Sequence, residues 1–131
     1  MDPVVHFEMP YGDATRMAGF YQQAFGWQAQ PLGAEMGNYV VVTTAESTPA
    51  GPVKPGSING GFFERKADWP DQYPSVVIAV EDVAAAMEKV RKAGGEVLGE
   101  PMDIPGVGKY VSFRDTEGNR VSLLQPLPRH P

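Results

Sequence analysis

The chain has 131 residues, a net charge of −5 at pH 7 and no cysteine. This length fits one domain, and the lack of cysteine excludes disulfides, thiolate nucleophiles and cysteine-bound zinc. Because lysine and arginine form no cluster, a nucleic-acid surface is not expected. No apolar run reaches the ~20 residues that span a bilayer, and no secretory leader is visible. We therefore expect a cytoplasmic protein that binds neither nucleic acid nor membrane.

The first half of the chain predicts a strand, a helix and two further strands. Residues 4–9 (VVHFEM) carry the β-branched and aromatic side chains that strands favour. Apolar residues then recur at helical spacing, which predicts a helix with an inner face of Met17, Phe20, Tyr21 and Ala24. Asp13 suits the N-cap of this helix, and Gly26 suits the left-handed residue that ends it. Strands are predicted again at 38–45 and 58–65.

Glycine and proline mark the segments around these strands. Residues 46–57 hold three prolines and two glycines and predict a loop, which is either a lid over a binding site or a plain surface connection. Gly60 and Gly61 predict a bulge or a close approach of another group to the strand backbone. Residues 66–73 are polar and bounded by proline, as is typical of a linker.

The second half repeats the same order of elements. Residues 75–80 predict a strand. The following helix is capped by Asp82, ends at Gly94 and Gly95, and has an apolar stripe formed by Val83, Ala86, Met87, Val90 and Ala93. Three more strands are predicted at 96–101, 109–115 and 119–126. Gly118 lies in the short connection between the last two, where a positive φ is expected.

The two halves align without a gap over their first parts at an offset of 69 residues. This offset pairs Asp13 with Asp82, Ala24 with Ala93, and Gly26 with Gly95. The alignment predicts a duplicated βαβββ unit: a first module at 3–65, a linker at 66–73 and a second module at 74–126, within a single domain at 1–131. The alternative is one α+β sheet domain with two helices that are similar by chance.

Several stretches together resemble the vicinal oxygen chelate superfamily, the group of glyoxalase I, bleomycin-resistance proteins and extradiol dioxygenases. The stretches that carry the resemblance are VVHFEM, FYQQAFGW, VEDVAAAMEKVRKAGGEV, IPGVG and FRDTEGNRVSLLQP. They cover about residue 4 to residue 126, and the chain looks most like small stand-alone members related to lactoylglutathione lyase. The resemblance implies an α+β fold in which two tandem βαβββ modules have curled mixed sheets that enclose a central cavity.

The resemblance also implies where a metal would be held, because metal-using members take their ligands from the first and last strands of each module. The corresponding residues here are His6, Ser75, Ser122 and either Gly60 or Gly61. A serine hydroxyl is a poor ligand at neutral pH and glycine offers no side chain, so no resident metal or other cofactor is favoured.

A second set of side chains offers an alternative metal site. Glu8 lies two residues after His6 and therefore points to the same strand face, and Glu64 follows the double glycine. The alternative is thus a divalent zinc, nickel, manganese or iron ion bound by His6, Glu8 and Glu64.

Polar residues on the predicted strands are the candidate contacts of a small-molecule ligand. The set is His6, Glu8, Tyr39, Ser75, Tyr110 and Ser122. His6 is also the candidate catalytic acid–base group, since an imidazole titrates near neutral pH. The alternative for His6 is a structural role, bonded to a neighbouring carbonyl or carboxylate.

Three functions are compatible with the sequence. The first is a glyoxalase-like or bleomycin-resistance-like protein that binds a small apolar or aromatic molecule without the usual metal. The second is a lyase, isomerase or dioxygenase-type enzyme that uses a cavity metal or His6. The third is a structural or interaction module whose cavity is filled by its own side chains. A homodimer is expected from the resemblance and from general prevalence, with the modules paired within one chain or exchanged between two.

Overall fold

The computed structural model describes residues 1–128, and these contain two helices, ten strands and one short 3-10 turn. The chain forms two compact units. One runs from His6 to Pro74, and the other comprises Met1–Val5 together with the chain from Ser75 onward. Each unit carries one helix against one mixed sheet, which is the predicted α+β arrangement.

Module one has its strands in mixed orientation. Its elements are β1 (Val4–Tyr11), α1 (Ala14–Phe25), β2 (Gln28–Pro31), the 3-10 turn (Ala34–Met36), β3 (Val40–Thr43), β4 (Ser47–Thr48), β5 (Gly51–Pro52) and β6 (Asn59–Glu64). Strand β1 pairs with β6 in parallel, β6 pairs with β3 antiparallel, and β3 pairs with β2 antiparallel. The small β4–β5 hairpin stands apart from this ladder.

Module two repeats that pairing. Its elements are β7 (Ser75–Ala79), α2 (Val83–Lys92), β8 (Glu96–Ile104), β9 (Gly108–Arg114) and β10 (Arg120–Pro126). Strand β7 pairs with β10 in parallel, β10 pairs with β9 antiparallel, and β9 pairs with β8 antiparallel. The identical strand order in the two modules confirms the predicted βαβββ duplication.

Both helices begin at the predicted aspartates. A carboxylate oxygen of Asp13 accepts a hydrogen bond from the Arg16 backbone N–H at 3.0 Å, and Asp82 accepts one from the Ala85 N–H at 3.0 Å. Gly26 ends α1 with φ of 76°, as predicted. In the second helix the left-handed residue is Gly94 (φ 99°), one of the two glycines predicted to end it, and this lies one residue before the glycine that the alignment pairs with Gly26. Helix α2 is two residues shorter than α1, and Ala93 in the right-handed region stands between its last residue and Gly94.

Module one buries a core between α1 and one face of its sheet. The core residues are Tyr11, Val40, Val42 and Phe62, and Met17 and Tyr21 of α1 pack against them. Phe20 was predicted on the inner face but is 58% exposed. Its ring lies edge-on to Tyr21 instead, with centroids 5.0 Å apart, because the face of α1 that packs on the core is formed by the partly buried residues Ala14, Met17 and Tyr21.

Module two is built in the same way. Its core contains Val83 and Met87 of α2 together with the sheet residues Val111, Phe113 and Leu123. Alternation along a strand sends neighbouring side chains to opposite faces. The face away from α2 therefore carries residues 110, 112, 122 and 124. Alternation along the last strand likewise predicts that Ser122 and Leu124 share one face.

Three segments differ from the sequence prediction. Strand β2 was not predicted, because its residues QAQP are all exposed and show no apolar alternation. The predicted loop at 46–57 contains the β4–β5 hairpin. Strand β8 continues to Ile104, with an irregular register between Leu98 and Met102. Within residues 1–128, neither helix has the length and apolar content that crossing a membrane requires.

Candidate ligand-binding site

A histidine, a tyrosine and a glutamate are joined on the module-one sheet. His6 and Glu8 lie on β1, and Tyr39 immediately precedes β3. The Tyr39 hydroxyl is 3.0 Å from Nε2 of His6, and it donates a hydrogen bond to Oε2 of Glu8 at 3.0 Å. The structure thus brings together three of the six predicted ligand contacts, through one phenol oxygen.

This cluster lies on the sheet face opposite α1. Phe7 and Met9 of β1 pack toward the module-one core, so the alternating residues His6 and Glu8 point the other way. All three members of the cluster are partly buried. They are therefore partly enclosed by the protein and still accessible from solvent.

The double glycine is what allows the tyrosine to reach across the sheet. A Cβ at Gly61 would lie 1.8 Å from the Tyr39 hydroxyl oxygen, and a Cβ at Gly60 would lie 2.5 Å from the Phe7 ring. Gly61 stands opposite Glu8 and Gly60 opposite Phe7 in an uninterrupted register. The predicted close approach is confirmed and the alternative of a bulge is wrong. The missing side chain of Gly60 leaves space for Phe7 on the α1 face of the sheet. The missing side chain of Gly61 leaves space for Tyr39 on the face of His6.

Burial sets the charge of His6. Removal of the ring from water lowers the pKa of His6 below its ordinary value, and the nearby Glu8 carboxylate opposes that shift only in part. The imidazole is consequently neutral at pH 7. A neutral imidazole has one ring nitrogen that donates and one that accepts.

The 46–57 segment is fixed at its base next to His6. Asn59 is the residue opposite His6 in the parallel register. Its side chain accepts a hydrogen bond from the Thr44 N–H at 2.9 Å and donates one to the Ser47 hydroxyl at 2.9 Å. Asn59 was not predicted as a site residue, although its position two residues before Gly61 places it on the same face. Whether the hairpin covers a ligand stays a prediction.

Glu64 does not join His6 and Glu8. It pairs with Tyr11 in the register and is two residues from buried Phe62, so it points to the α1 side of the sheet. There it forms an ion pair with Lys66 and accepts a hydrogen bond from Asn38. These contacts, the bond from Lys66 foremost, lower the pKa of Glu64. The set of His6, Glu8 and Glu64 is therefore not assembled.

The residues present do not fit a divalent metal. Among residues 1–128, no three histidine, cysteine, aspartate or glutamate side chains lie together in a way that could hold an ion. Of the positions that the resemblance implies, His6 supplies an imidazole, Gly61 supplies no side chain, and Ser75 and Ser122 supply hydroxyls. Such a set has one imidazole and no anionic donor, fewer than the three protein ligands that these ions usually take.

Module two carries a hydroxyl cluster in place of the imidazole and carboxylate. The Ser122 hydroxyl lies 2.7 Å from the Tyr110 hydroxyl and 3.1 Å from the Ser112 hydroxyl. Ser112 and Ser122 are buried, at 4% and 3% exposure. These contacts satisfy the hydroxyls within the protein, which is a structural role. Ser75, also a predicted contact, is partly buried on β7 and has no hydrogen bond to its hydroxyl among the described residues.

Arg120 extends this cluster and was missed by the sequence prediction. Its guanidinium donates to the Ser112 hydroxyl at 3.5 Å, the outer limit for such a bond. The signal that could have found it is parity, since Arg120 lies two residues before Ser122 on one strand.

Tyr39 and Tyr110 are equivalent positions of the two modules. Each directly precedes a buried valine, Val40 or Val111, that pairs with a buried residue of the last strand. In module one, Gly61 precedes that buried residue of the last strand, and the Tyr39 phenol passes over Gly61 to β1. In module two the same place holds Ser122, and the phenol stops at its hydroxyl. Glycine in one module and serine in the other thus accompany two different contacts: the Tyr39 phenol bonds to residues of the first strand, and the Tyr110 phenol bonds to the Ser122 hydroxyl of the last strand.

Known proteins are similar to this chain in sequence. Residues 4–123 match the family described as the Glyoxalase/Bleomycin resistance protein/Dioxygenase superfamily. A glyoxylase-like domain-containing protein of Didymella fabae is 31% identical over 115 residues, which cover 86% of this chain and 84% of that protein. CFP32 of Mycobacterium tuberculosis, which carries the name of a glyoxylase, is 37% identical over 70 residues, or 53% of this chain. That match spans only 27% of CFP32.

The fold is also that of a solved structure. Methylmalonyl-CoA epimerase from Mycobacterium tuberculosis superposes with a TM-score of 0.67 over 95% of this chain and 88% of the epimerase, at 14% sequence identity. Identity this low shows a shared fold only. Sequence match, strand order and superposition agree, and the chain belongs to the glyoxalase, bleomycin resistance protein and dioxygenase superfamily.

Proposed function

We propose that the protein binds a small apolar or aromatic molecule, without a metal ion, on the face of the module-one sheet that lies opposite α1. The observation that carries this proposal is the bridge by which Tyr39 holds both His6 and Glu8 on that face. A partly buried polar group kept in one orientation supplies the directional contact that a ligand site needs.

Apolar side chains on the same face support the proposed ligand class. Val41 pairs with Gly61 and is 38% exposed, and Phe63 follows buried Phe62 and so points away from the core. Small-molecule sites are mostly apolar surfaces with a few polar groups that fix orientation. Val41 and Phe63 beside the His6, Tyr39 and Glu8 cluster have that composition.

A thermal-shift screen of small apolar and aromatic compounds, followed by calorimetry on the compounds that stabilise the protein, tests this proposal. We expect Val41→Glu to weaken binding by at least about tenfold, because an apolar ligand would have to desolvate a carboxylate. Val107→Glu is the matched control, since Val107 is a similarly exposed valine of module two. Equal affinity of the two variants, or a screen in which no compound stabilises the protein, would refute the proposal.

A second candidate is proton transfer to or from the bound molecule. The arrangement of imidazole, phenol and carboxylate favours it, because a proton taken up by His6 would be stabilised through Tyr39 by the Glu8 charge. Exchange of ligand C–H protons for deuterium in D₂O, followed by NMR, tests this candidate. Exchange that disappears in His6→Gln while the ligand still binds would support it, and an equal rate in that variant would exclude it.

Self-association and location are proposals of a more general kind. We propose a cytoplasmic homodimer, which the family membership supports. Sedimentation velocity over a range of concentrations tests the dimer, and a monomer at all of them would refute it. Fractionation of the source cells tests the location.

A further inference from the structure

The hydrogen bonds of the His6, Tyr39 and Glu8 cluster have only one consistent direction. An ionised carboxylate accepts hydrogen bonds and cannot donate, so the bond between Tyr39 and Glu8 uses the phenol proton. A phenol has one proton. The contact between the Tyr39 oxygen and Nε2 of His6 must therefore use a proton of the imidazole. Nε2 is protonated as a consequence.

The other ring nitrogen is then an acceptor. Burial lowers the pKa of His6, so the ring carries a single proton at neutral pH. With that proton on Nε2, the lone pair of the neutral ring is at Nδ1. Within the described part of the chain, the side-chain hydrogen bond of His6 is the one made by Nε2.

We infer that Nδ1 of His6 accepts a hydrogen bond from an O–H or N–H group of a neutral, largely apolar ligand, with Tyr39 and Glu8 as positioning residues that fix the imidazole tautomer. This inference rests on the proposed function and names the ligand class of that same site. It adds a hydrogen-bond donor to the apolar ligand that the surface favours.

The charge of Glu8 and the apolar surface beside His6 narrow the class of ligand further. The Glu8 carboxylate is close enough to act on the His6 charge, and it repels an anion brought to the same place. A phenol or an enol in its neutral form therefore fits better than its conjugate base. Val41 and Phe63 supply an apolar surface for the remainder of such a molecule.

The tautomer can be measured without any ligand. The chain has two histidines, so His130→Gln leaves one imidazole, whose two nitrogens are distinguished by long-range ¹H–¹⁵N correlation spectra. We expect a neutral ring with its proton on Nε2. Tyr39→Phe in that background should shift the ring toward a mixture of tautomers. Tyr110→Phe removes the equivalent hydroxyl of module two and should leave the spectrum unchanged.

Phenol and anisole then test the contact, because they differ in the O–H group that would donate. We expect phenol to shift the Nδ1 resonance and to bind at least about tenfold more tightly than anisole. If the ligand-free His6 ring carries its proton on Nδ1, the inference is overturned, regardless of how phenol and anisole bind. Equal binding of both compounds on the module-one face would overturn it while upholding the proposed function. If neither compound, nor any from the screen, perturbs that face, the proposed function itself fails.

Discussion

The phenol of Tyr39 lies directly over Gly61, at a distance that no side chain at residue 61 could share. The hydroxyl oxygen would be 1.8 Å from a Cβ there, far inside van der Waals contact. This relationship ties the shape of strand β6 to the hydrogen bonds made on β1, and it leads to the first prediction.

Gly61→Ala should displace Tyr39 from His6 and Glu8. We expect the free energy of unfolding to fall by about 1–3 kcal/mol, because a methyl group is forced into an occupied space. Urea denaturation measures the change. Gly19→Ala is the control: a Cβ added at this α1 glycine would have nothing within 4 Å, and alanine there should stabilise by about 0.5–1 kcal/mol. A Gly61→Ala variant as stable as the wild type would contradict the prediction.

Ser122→Ala should destabilise module two through lost hydrogen bonds. The Ser122 hydroxyl is buried and contacts both Tyr110 and Ser112, so its removal takes a partner from two other hydroxyls and should cost about 1–3 kcal/mol. Ser75→Ala, at a hydroxyl without such contacts, should stay within about 0.5 kcal/mol of wild type. Chemical denaturation of both variants compares them, and equal losses would count against the buried cluster.

The two helix caps should be equally important. Asp13→Ala and Asp82→Ala each remove one carboxylate acceptor at a helix N-terminus, and each should lower the free energy of unfolding by about 1 kcal/mol. Asp68→Ala, at an exposed residue outside the helices, is the control and should have little effect. The measurement is the urea midpoint, and a cap variant indistinguishable from Asp68→Ala would contradict the assignment.

Stability should fall on acidification through a window set by His6. Burial lowers the pKa of His6 in the folded state, so the unfolded chain binds its proton first as the pH falls. The contribution of His6 to the free energy of unfolding is complete above the ordinary histidine pKa. It declines as the pH falls from there to the lower pKa of His6 in the folded protein. Hydrogen bonds from Asn119 lower the pKa of Asp115, so the Asp115 contribution is lost at lower pH, in the carboxylate range. His6→Gln should flatten the first decline and leave the second. An unchanged slope near pH 6 would refute this.

The local elements were predictable because they depend on spacing. The caps at Asp13 and Asp82, the end of α1 at Gly26 and the positive φ of Gly118 (82°) follow from residue types whose backbone preferences are strong. Strand β2 could not be found in this way, because an exposed strand is held by its partner β3 and has no buried face to produce alternation.

The site was predictable only as a set of residues. His6 and Glu8 were predicted on one face of a strand and Tyr39 on another strand, but the bonds among them depend on a register between segments that are more than 30 residues apart. The proposed role of Glu64 was wrong because the sequence left open which of Gly60 and Gly61 faces His6. Glu64 is two residues from Phe62, and the parity that buries Phe62 sends Glu64 to the same side.

Gly60 and Gly61 are adjacent, so strand β6 lacks a side chain on each face of the sheet at these positions. Phe7 fills the space on one face and Tyr39 fills it on the other. Natural or engineered variation of this protein is consequently restricted at residues 60 and 61. At these two positions of β6 no side chain can be added for ligand contact while Phe7 and Tyr39 keep their places, and loss of the tyrosine would be the step that frees residue 61 to vary.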